Sequence, residues 1–208
     1  MKNILVFLAF LSTSLSASAQ YGYRDSNRIG INAGINQFTL TTSDFDTKPA
    51  MGWNLGLSVR GNFYNDFDMV YGIQFSENNY TVATYNGLSK EDVKYKISSA
   101  QISLLLSYKL IENHLSVELG PMLQVNGKAT IEDTDEDNIV AGELYTAKEL
   151  AEISNFSFYP TIGITAGIRQ LRANITYQYG VTNLLHNIEG ADFNGHGGIL
   201  SGNLIFYL

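Results

Sequence analysis

The sequence predicts an all-β protein, an eight-stranded antiparallel transmembrane β-barrel with short periplasmic turns and long extracellular loops. The first observation is a strict alternation of side-chain type over long runs, such as residues 158–169 and 171–182. Soluble strands usually contain about 5–6 residues, whereas a tilted strand that crosses a bilayer needs roughly 9–11. The second observation is that one alternate set is bulky and uncharged, while the other is small or polar. This pattern is typical of a barrel whose apolar side faces lipid and whose polar side faces inward.

The hairpin formed by these two runs shows the alternation most clearly. Only an extended chain sends successive side chains to opposite faces, so a period of two indicates β-strand. Asn174 and Gln178 are predicted to point inward. The outward set is predicted to be Phe158, Pro160, Ile162, Ile164, Ala166 and Ile168 in the first arm, and Leu171, Ala173, Ile175, Tyr177, Tyr179 and Val181 in the second.

Six further alternating segments complete the predicted barrel. They cover residues 29–36, 51–63, 69–76, 101–110 and 115–126 before the hairpin, and 200–208 after it. The longer connections fall at residues 39–50, 78–95, 127–155 and 183–196, and short turns separate the other strands. Bacterial outer-membrane barrels combine an even number of strands with short periplasmic turns and extended outer loops. Both ends of the mature chain are therefore predicted to lie on the periplasmic side.

Pro121 interrupts the fifth predicted strand at an outward position. Proline has no N–H group to donate, and every strand of a closed barrel has two neighbours. We therefore expect a β-bulge at this residue, which leaves open the register of the strand after Gly120.

The N-terminal residues predict export. Lys2, the apolar run Ile4–Leu11 and the small residues Ala17 and Ala19 correspond to the three parts of a secretory signal peptide. The apolar run is too short for a transmembrane helix, which needs roughly 17–25 residues. We expect residues 1–19 to be removed, leaving residues 20–208 as one barrel domain in the cell outer membrane of a Gram-negative bacterium.

Charge and composition exclude several classes of function. The chain has 13 basic and 20 acidic residues, a formal net charge of −7, and no cysteine. An acidic chain is a poor nucleic-acid partner, because phosphate binding needs clustered cations. Without cysteine there are no disulfides and no thiolate metal ligands. The sequence also lacks a glycine-rich phosphate loop and a paired-histidine helix motif, so no cofactor is predicted.

Six stretches of the chain point to a known family: SASAQ, IGINAGIN, MGWNLGLSV, LSVELGPML, TIGITAGIR and the closing GNLIFYL. Together they resemble the PorT-like outer-membrane β-barrels, which are eight-stranded porin-fold proteins. The resemblance implies a barrel surrounded by outer-membrane lipid and lipopolysaccharide. It also implies contact with periplasmic chaperones and the barrel-insertion machinery during biogenesis and, as in some relatives, with proteins of a secretion and gliding apparatus. No catalytic motif is carried over.

A group of charged residues is predicted to point into the barrel near its periplasmic end. An eight-stranded barrel is just wide enough for side chains to fill it. Since buried charges must be paired, we favour an ion-paired plug in which Glu118 partners one or two arginines. A small anion-selective conduit is the alternative. The predicted group is Arg60, Lys109, Glu118, Arg169 and Arg172.

The connection after the fifth strand is strongly acidic. Its Asp133–Asp137 segment has the carboxylate spacing with which a calcium-binding loop begins, but Asn138 and Leu144 stand where such a loop needs a glycine and a glutamate. We therefore expect a solvated acidic face, with weak divalent-cation binding as the alternative. The Thr146–Ile153 segment predicts a short helix, because its first residue and the acid three positions later form a capping pair.

A histidine-containing group near the last strand raises the question of catalysis. Outer-membrane barrels that act on lipid A use a histidine with a serine and an acid near the outer rim, and His186, Glu189, Asp192, His196 and Ser201 are close in sequence. No recognisable motif surrounds them, and loop histidines are usually solvated. We predict a structural or interaction role in the cell envelope without catalysis. An accessory role in a protein-secretion apparatus or a narrow porin is the alternative, and a lipid A-modifying enzyme is the third hypothesis.

Overall fold

The computed structural model describes residues 27–188 and 190–208, so the predicted signal peptide lies outside the described residues. Two 3₁₀ helices, Asp133–Asp135 and Glu149–Ala151, occur in one connection. No helix in this part of the chain has the length and hydrophobicity of a membrane-spanning segment. The strands are β1 Arg28–Thr42, β2 Thr47–Tyr64, β3 Phe67–Asn86, β4 Ser89–Ile111, β5 Leu115–Thr130, β6 Ile139–Val140, β7 Phe156–Gly167, β8 Leu171–Tyr179 and β9 Gly195–Tyr207.

Eight of these strands form a closed antiparallel barrel. Each pairs with the next along the chain, β5 pairs with β7, and β9 returns to β1. The closing ladder is long, running from Gly30 opposite Tyr207 to Thr42 opposite Gly195. The two-residue strand β6 pairs with β3 outside the ring. The predicted eight-stranded antiparallel barrel is therefore confirmed.

The side chains of the barrel have the predicted orientation. Ile164, Ile175 and Leu204 are 55%, 64% and 61% exposed, whereas Asn174 and Gln178 are 6% and 4% exposed. The outward side chains form an apolar belt around the whole barrel, far larger than the apolar patches of soluble proteins. Such a belt is stable only where lipid covers it.

The expected β-bulge at Pro121 is absent, and this prediction was wrong. Pro121 lies opposite Pro160 of β7, and the β5–β7 register continues without a shift. On the other side, β4 and β5 keep the same register before and after the proline. Around this position, only Gly120 and Pro121 themselves are not paired with β4. The lost N–H group therefore interrupts the ladder locally without an inserted residue.

The strands β3 and β4 extend well beyond the belt, so the predicted loop at residues 78–95 was wrong. Both strands continue to a tight turn at Gly87, which has a φ of +61°. The polarity of the alternation reverses along them. Tyr95 and Ile97 of β4 are apolar and buried, whereas Ser99 and Gln101, next on the same inward side, are polar and buried. This polarity switch marks the level at which the outer surroundings change from lipid to water.

A second, apolar core fills the end of the barrel with the long connections, which we call the long-loop end. The opposite end is the short-turn end. Two connections, residues 131–155 and 180–194, fold over the mouth and form a cap. Their buried residues pack on the upper parts of β1, β3 and β4. This core includes Phe38, Leu40, Phe45, Tyr80, Val82, Val93, Tyr95, Ile97, Leu150, Ile153, Leu184, Leu185, Ile188 and Phe193.

Of the short helix predicted at Thr146–Ile153, three residues are helical, as the 3₁₀ helix Glu149–Ala151 with Lys148 as its N-cap residue. The Thr146 amide donates to Glu149 Oε2 at 2.8 Å, and the Glu149 amide donates to Thr146 Oγ1 at 3.3 Å. This is the predicted reciprocal capping pair. Accepting the Thr146 amide bond holds the pKa of the Glu149 carboxyl below its usual range.

Candidate functional site: a closed barrel lumen

Arg60 is the centre of an ionic cluster inside the short-turn end. Its guanidinium pairs with Glu118 of β5 and, at 3.2 Å, with Asp68 of β3. It also donates to Ser107 Oγ of β4 at 2.8 Å and to the Tyr207 hydroxyl of β9 at 3.3 Å. The Arg60 and Glu118 side chains are each 3% exposed. Inward positions of five strands therefore converge on one buried cation.

Three further cations surround this cluster. Lys109 Nζ lies 3.3 Å from Asp68 Oδ1. The Arg172 guanidinium lies 6.0 Å from the centroid of the Tyr207 ring, at the limit of a cation–π contact. Arg28 is buried and donates to Asn113 Oδ1 at 3.2 Å. Among the described residues, the carboxylates that pair with cations of this cluster are Asp68 and Glu118.

Three of the five predicted residues, Arg60, Lys109 and Glu118, come together in the cluster. Arg172 points into the same end of the lumen but makes no ion pair with Glu118. The expectation that Arg169 points inward was wrong, because β7 ends at Gly167 and Arg169 lies exposed in the turn before β8.

Sequence reasoning missed Asp68, Tyr207 and Arg28. Asp68 and Tyr207 fall on inward positions of the predicted alternation, and Arg28 lies one residue before the predicted start of the first strand. The alternation was therefore a sufficient signal for all three. Tyr207 lies inside the predicted strand 200–208, whereas the predicted limits of the first and third strands were one residue too short to include Arg28 and Asp68.

A chain of amide side chains crosses the middle of the lumen. Asn32 of β1 donates to Gln74 Oε1 of β3 at 3.2 Å, and Gln74 donates to Gln101 of β4. Gln101 Nε2 in turn donates to Gln124 Oε1 of β5 at 2.6 Å. Because Gln74 and Gln101 each both donate and accept, the chain fills this level with mutually bonded polar groups.

A cavity of about 70 Å³ lies among these inward side chains. Its lining includes Asn32, Ser58, Gln178 and Asn203, each with a buried oxygen that accepts no hydrogen bond from the described residues. One water occupies about 10–15 Å³ of such a volume. The cavity therefore fits a few waters and no larger solute.

The long-loop end is closed by apolar and aromatic side chains. Tyr80 and Tyr95 stack with ring centroids 5.0 Å apart, and the Tyr95 hydroxyl donates to the Ala147 carbonyl at 2.9 Å. Leu150 and Leu185, one from each cap connection, are completely buried in the same core. Burial raises the pKa of both tyrosine hydroxyls well above the usual range. Apolar and aromatic packing thus closes the long-loop end of the lumen, whereas ion pairs around Arg60 close the short-turn end.

The acidic connection spreads its carboxylates over a solvated surface. Lys148 pairs with Glu136 at 2.6 Å and Lys128 with Glu152 at 2.7 Å, and both pairs are largely exposed. The Glu136 carboxylate accepts the hydrogen bond that raises the pKa of Lys148. Across residues 27–188 and 190–208, no three His, Cys, Asp or Glu side chains are grouped as metal ligands would be.

The histidine-containing group is not assembled as a catalytic site. His196 faces outward on β9, whereas Ser201, five positions later, points inward and is 2% exposed. An odd separation in a strand places two side chains on opposite faces. His186 and Asp192 are exposed in the cap, and Glu189 lies outside the described residues.

A family comparison decides which membrane covers the belt. Residues 18–186 match the family described as the outer membrane protein β-barrel domain. The chain belongs to this family. The protein is therefore an outer-membrane barrel, with the short-turn end on the periplasmic side and the long-loop end on the extracellular side.

Solved outer-membrane barrels match the chain at low sequence identity. Neisserial surface protein A is 14% identical with a TM-score of 0.50, and the match covers 86% of this chain and 96% of that one. Ail, the attachment invasion locus protein of Yersinia pestis, is 14% identical with a TM-score of 0.47 over 88% and 99%. OprG of Pseudomonas aeruginosa is 12% identical with a TM-score of 0.48 over 88% and 97%. No curated protein matches the sequence significantly.

Proposed function

We propose that the protein is a closed outer-membrane barrel with a structural or interaction role in the cell envelope and without catalysis. The observation that supports this proposal is the filling of the lumen at three levels. From the extracellular side these are the apolar core of the cap, the chain of amides, and the ionic cluster around Arg60. A solute that crossed the barrel would have to displace all three.

The ionic cluster is poorly suited to act as a gate. Arg60 bonds to groups on β3, β4, β5 and β9 at once, so its movement would leave several buried groups unpaired. Removing one partner of a buried ion pair costs about 3–5 kcal/mol. The inward-pointing guanidinium groups of Arg60 and Arg172 are the observation that favours the alternative, a narrow anion-selective porin.

The outer surface of the cap and the neighbouring β3–β4 tip support an interaction role. Leu88 at the β3–β4 tip and Leu144 after β6 are 101% and 97% exposed. Tyr85 and Ile139, partners in the β3–β6 ladder, are 42% and 51% exposed. Exposed apolar residues held together on a rigid element are suited to contact another protein. An accessory role in a secretion apparatus, as implied by the PorT-like resemblance, would use this surface.

We further infer that the chain reaches its membrane by the usual route of such barrels. The proposed signal peptide at residues 1–19 would direct export, and periplasmic chaperones and the barrel-insertion machinery would then assemble the strands. Lipid and lipopolysaccharide would surround the belt. A shift in electrophoretic mobility on heating the outer-membrane fraction tests insertion directly.

Planar-bilayer recording of the purified, heat-modifiable protein tests the closed lumen. We expect no steady conductance, because the three filled levels lie in series. A steady open-channel current from single barrels would replace this proposal with the porin alternative.

Detergent pull-down of the wild type and of Leu88→Ser/Leu144→Ser tests the interaction role. Envelope partners retained by the wild type and lost by the variant would support an accessory role, and equal retention by both would exclude this surface.

A further inference from the structure

The lysines of this acidic protein are concentrated on one outward face. Six lysines lie at the extracellular end, and five of them are on the outer side of β2, β4 and β5. The sixth, Lys148, belongs to the cap. We call the five the lysine face: Lys48, Lys90, Lys94, Lys96 and Lys128.

The sheet register places these lysines in adjacent rows. Residues paired across neighbouring strands form a row. Lys48 of β2 and Lys94 of β4 are both paired with Thr81 of β3, one on each side, so their Cα atoms are about 10 Å apart. Lys96 is next to Lys94 on the same side of β4, and it pairs with Thr130 of β5. Several ammonium groups can therefore reach one multiply charged anion.

The lysine face begins directly above the lipid belt. Phe75, Ala100 and Val125 form the last apolar row on β3, β4 and β5. Lys96 is four residues beyond Ala100, about 13 Å along a tilted strand and hence roughly 10 Å above that row. Flexible lysine side chains extend their ammonium groups toward polar headgroups. Lys96 is therefore at the height of the lipid headgroups. Lys48 and Lys94 lie one outward row higher, with the headgroups within reach of their flexible side chains. Lys90, ten residues beyond Ala100, lies above the headgroups.

The opposite side of the barrel has no comparable charge. The corresponding outward positions of β8, β9 and β1 carry residues such as Tyr179, His196, Gly198, Thr39 and Thr41. Among the described residues, neither lysine nor arginine occupies these positions at this level. The basic surface is thus one-sided, although the chain has a net charge of −7.

The ammonium groups of the lysine face are available for a ligand. Lys90, Lys94 and Lys96 make no ion pair with the described residues, while Lys48 and Lys128 make exposed pairs with Asp92 and Glu152. Exposed pairs of this kind contribute little and exchange readily with other partners. Glu77 and Asp92 are the carboxylates on the outward side of these strands, so the cations outnumber them.

We propose that the lysine face binds the phosphate groups of lipid headgroups in the outer leaflet. Lysine binds phosphate as a point charge, and clustered lysines beside a membrane attract anionic lipids. The apolar row below the face would contact the acyl chains of the same lipid. This inference goes beyond the closed-lumen proposal and is independent of it, because none of the five lysines lines the lumen.

Binding of lipid A to the purified barrel in uncharged detergent tests the proposal. Trp53, the single tryptophan of the chain, lies in the row of Glu77 and Ser98 and reports binding by its fluorescence. Each lysine near an anionic surface contributes about fivefold in affinity. We therefore expect Lys94→Gln/Lys96→Gln to bind bisphosphorylated lipid A about 25-fold more weakly, and the single Lys94→Gln about fivefold.

Two controls separate a local site from net charge. Adding Val181→Lys and His186→Lys to the double variant restores the charge on the opposite side of the barrel, and we expect no recovery of binding. Dephosphorylated lipid A should bind wild type and variants equally, and excess inorganic phosphate should not displace the lipid. Three outcomes would overturn the proposal. The relocated lysines could restore lipid A binding, the lysine variants could lose as much affinity for dephosphorylated lipid A as for the phosphorylated form, or free phosphate could displace the bound lipid.

Discussion

Arg60 on β2 and Glu118 on β5 are 58 positions apart in the sequence, yet they form an ion pair across the barrel lumen. The two strands between them each add a group to the pair, Asp68 from β3 and Ser107 from β4. Glu118 also accepts a hydrogen bond from Asn174 of β8 at 3.1 Å. The cluster therefore links distant parts of the ring, and its loss should affect the whole barrel.

The substitution Glu118→Gln should destabilise the barrel strongly. It leaves the Arg60 guanidinium buried with one carboxylate fewer, and breaking a buried ion pair in this way costs about 3–5 kcal/mol. Urea unfolding in micelles, followed by Trp53 fluorescence, measures the loss. The matched control is Glu152→Gln, which removes an exposed pair with Lys128 and should cost less than about 1 kcal/mol. If both variants lose the same free energy of unfolding, the buried pair contributes no more to stability than the exposed one.

The substitution Leu185→Ala should loosen the cap without unfolding the barrel. Leu185 is completely buried in the cap core, and such truncations cost about 2–5 kcal/mol. We expect faster protease cleavage of residues 180–194 in whole cells, together with an unchanged heat-modifiable band. Leu144→Ala is the control, because this leucine is 97% exposed. The prediction fails if both variants are cleaved at the wild-type rate.

Acid should loosen the turn held by Thr146 and Glu149. The folded-state pKa of the Glu149 carboxyl is lowered from its usual 4.5 by hydrogen bonds from Thr146. The resulting stabilisation is therefore fully present above about pH 4.5 and is lost as the pH falls through the lowered pKa. The protection factor of the Thr146 amide, which is the hydrogen-exchange rate of the unfolded chain divided by that of the folded protein at the same pH, should fall over this range in the wild type.

The variant Glu149→Gln isolates this effect. Its Thr146 amide should exchange faster than the wild-type amide at neutral pH, and its protection factor should show no further fall on acidification. Glu132→Gln, an exposed acid of the same connection, should behave as the wild type. An unchanged acid response in Glu149→Gln would assign the titration to another group.

The membrane-spanning part of the barrel could be predicted from the sequence because lipid and lumen impose opposite demands on neighbouring residues. Ile175 and Asn174 illustrate this, since their contrast follows directly from a period of two. The same rule led to a wrong loop at residues 78–95. There the strands continue in water, where Tyr80 and Tyr95 point inward and polar residues point outward, so the polarity of the pattern is reversed.

The site was predicted less completely than the strands. Arg60, Lys109 and Glu118 were found because they lie well inside alternating runs, whereas Asp68 lies near a strand start that the sequence does not mark. The cap core could not be predicted, because the packing of Leu185 depends on contacts between connections without any periodicity.

The substitution Ile175→Lys tests the orientation on which the whole arrangement depends. Ile175 is at the centre of β8 and is 64% exposed on the lipid side. A lysine at the bilayer midplane costs about 2–4 kcal/mol, and the cost falls to about 0–1 kcal/mol near the interface. Val181→Lys, six positions later on the same outward side, is therefore the matched control. We expect urea unfolding in bilayers to show a loss for Ile175→Lys several times that for Val181→Lys. Because the two substitutions differ in depth alone, equal losses would mean that the belt does not face hydrocarbon.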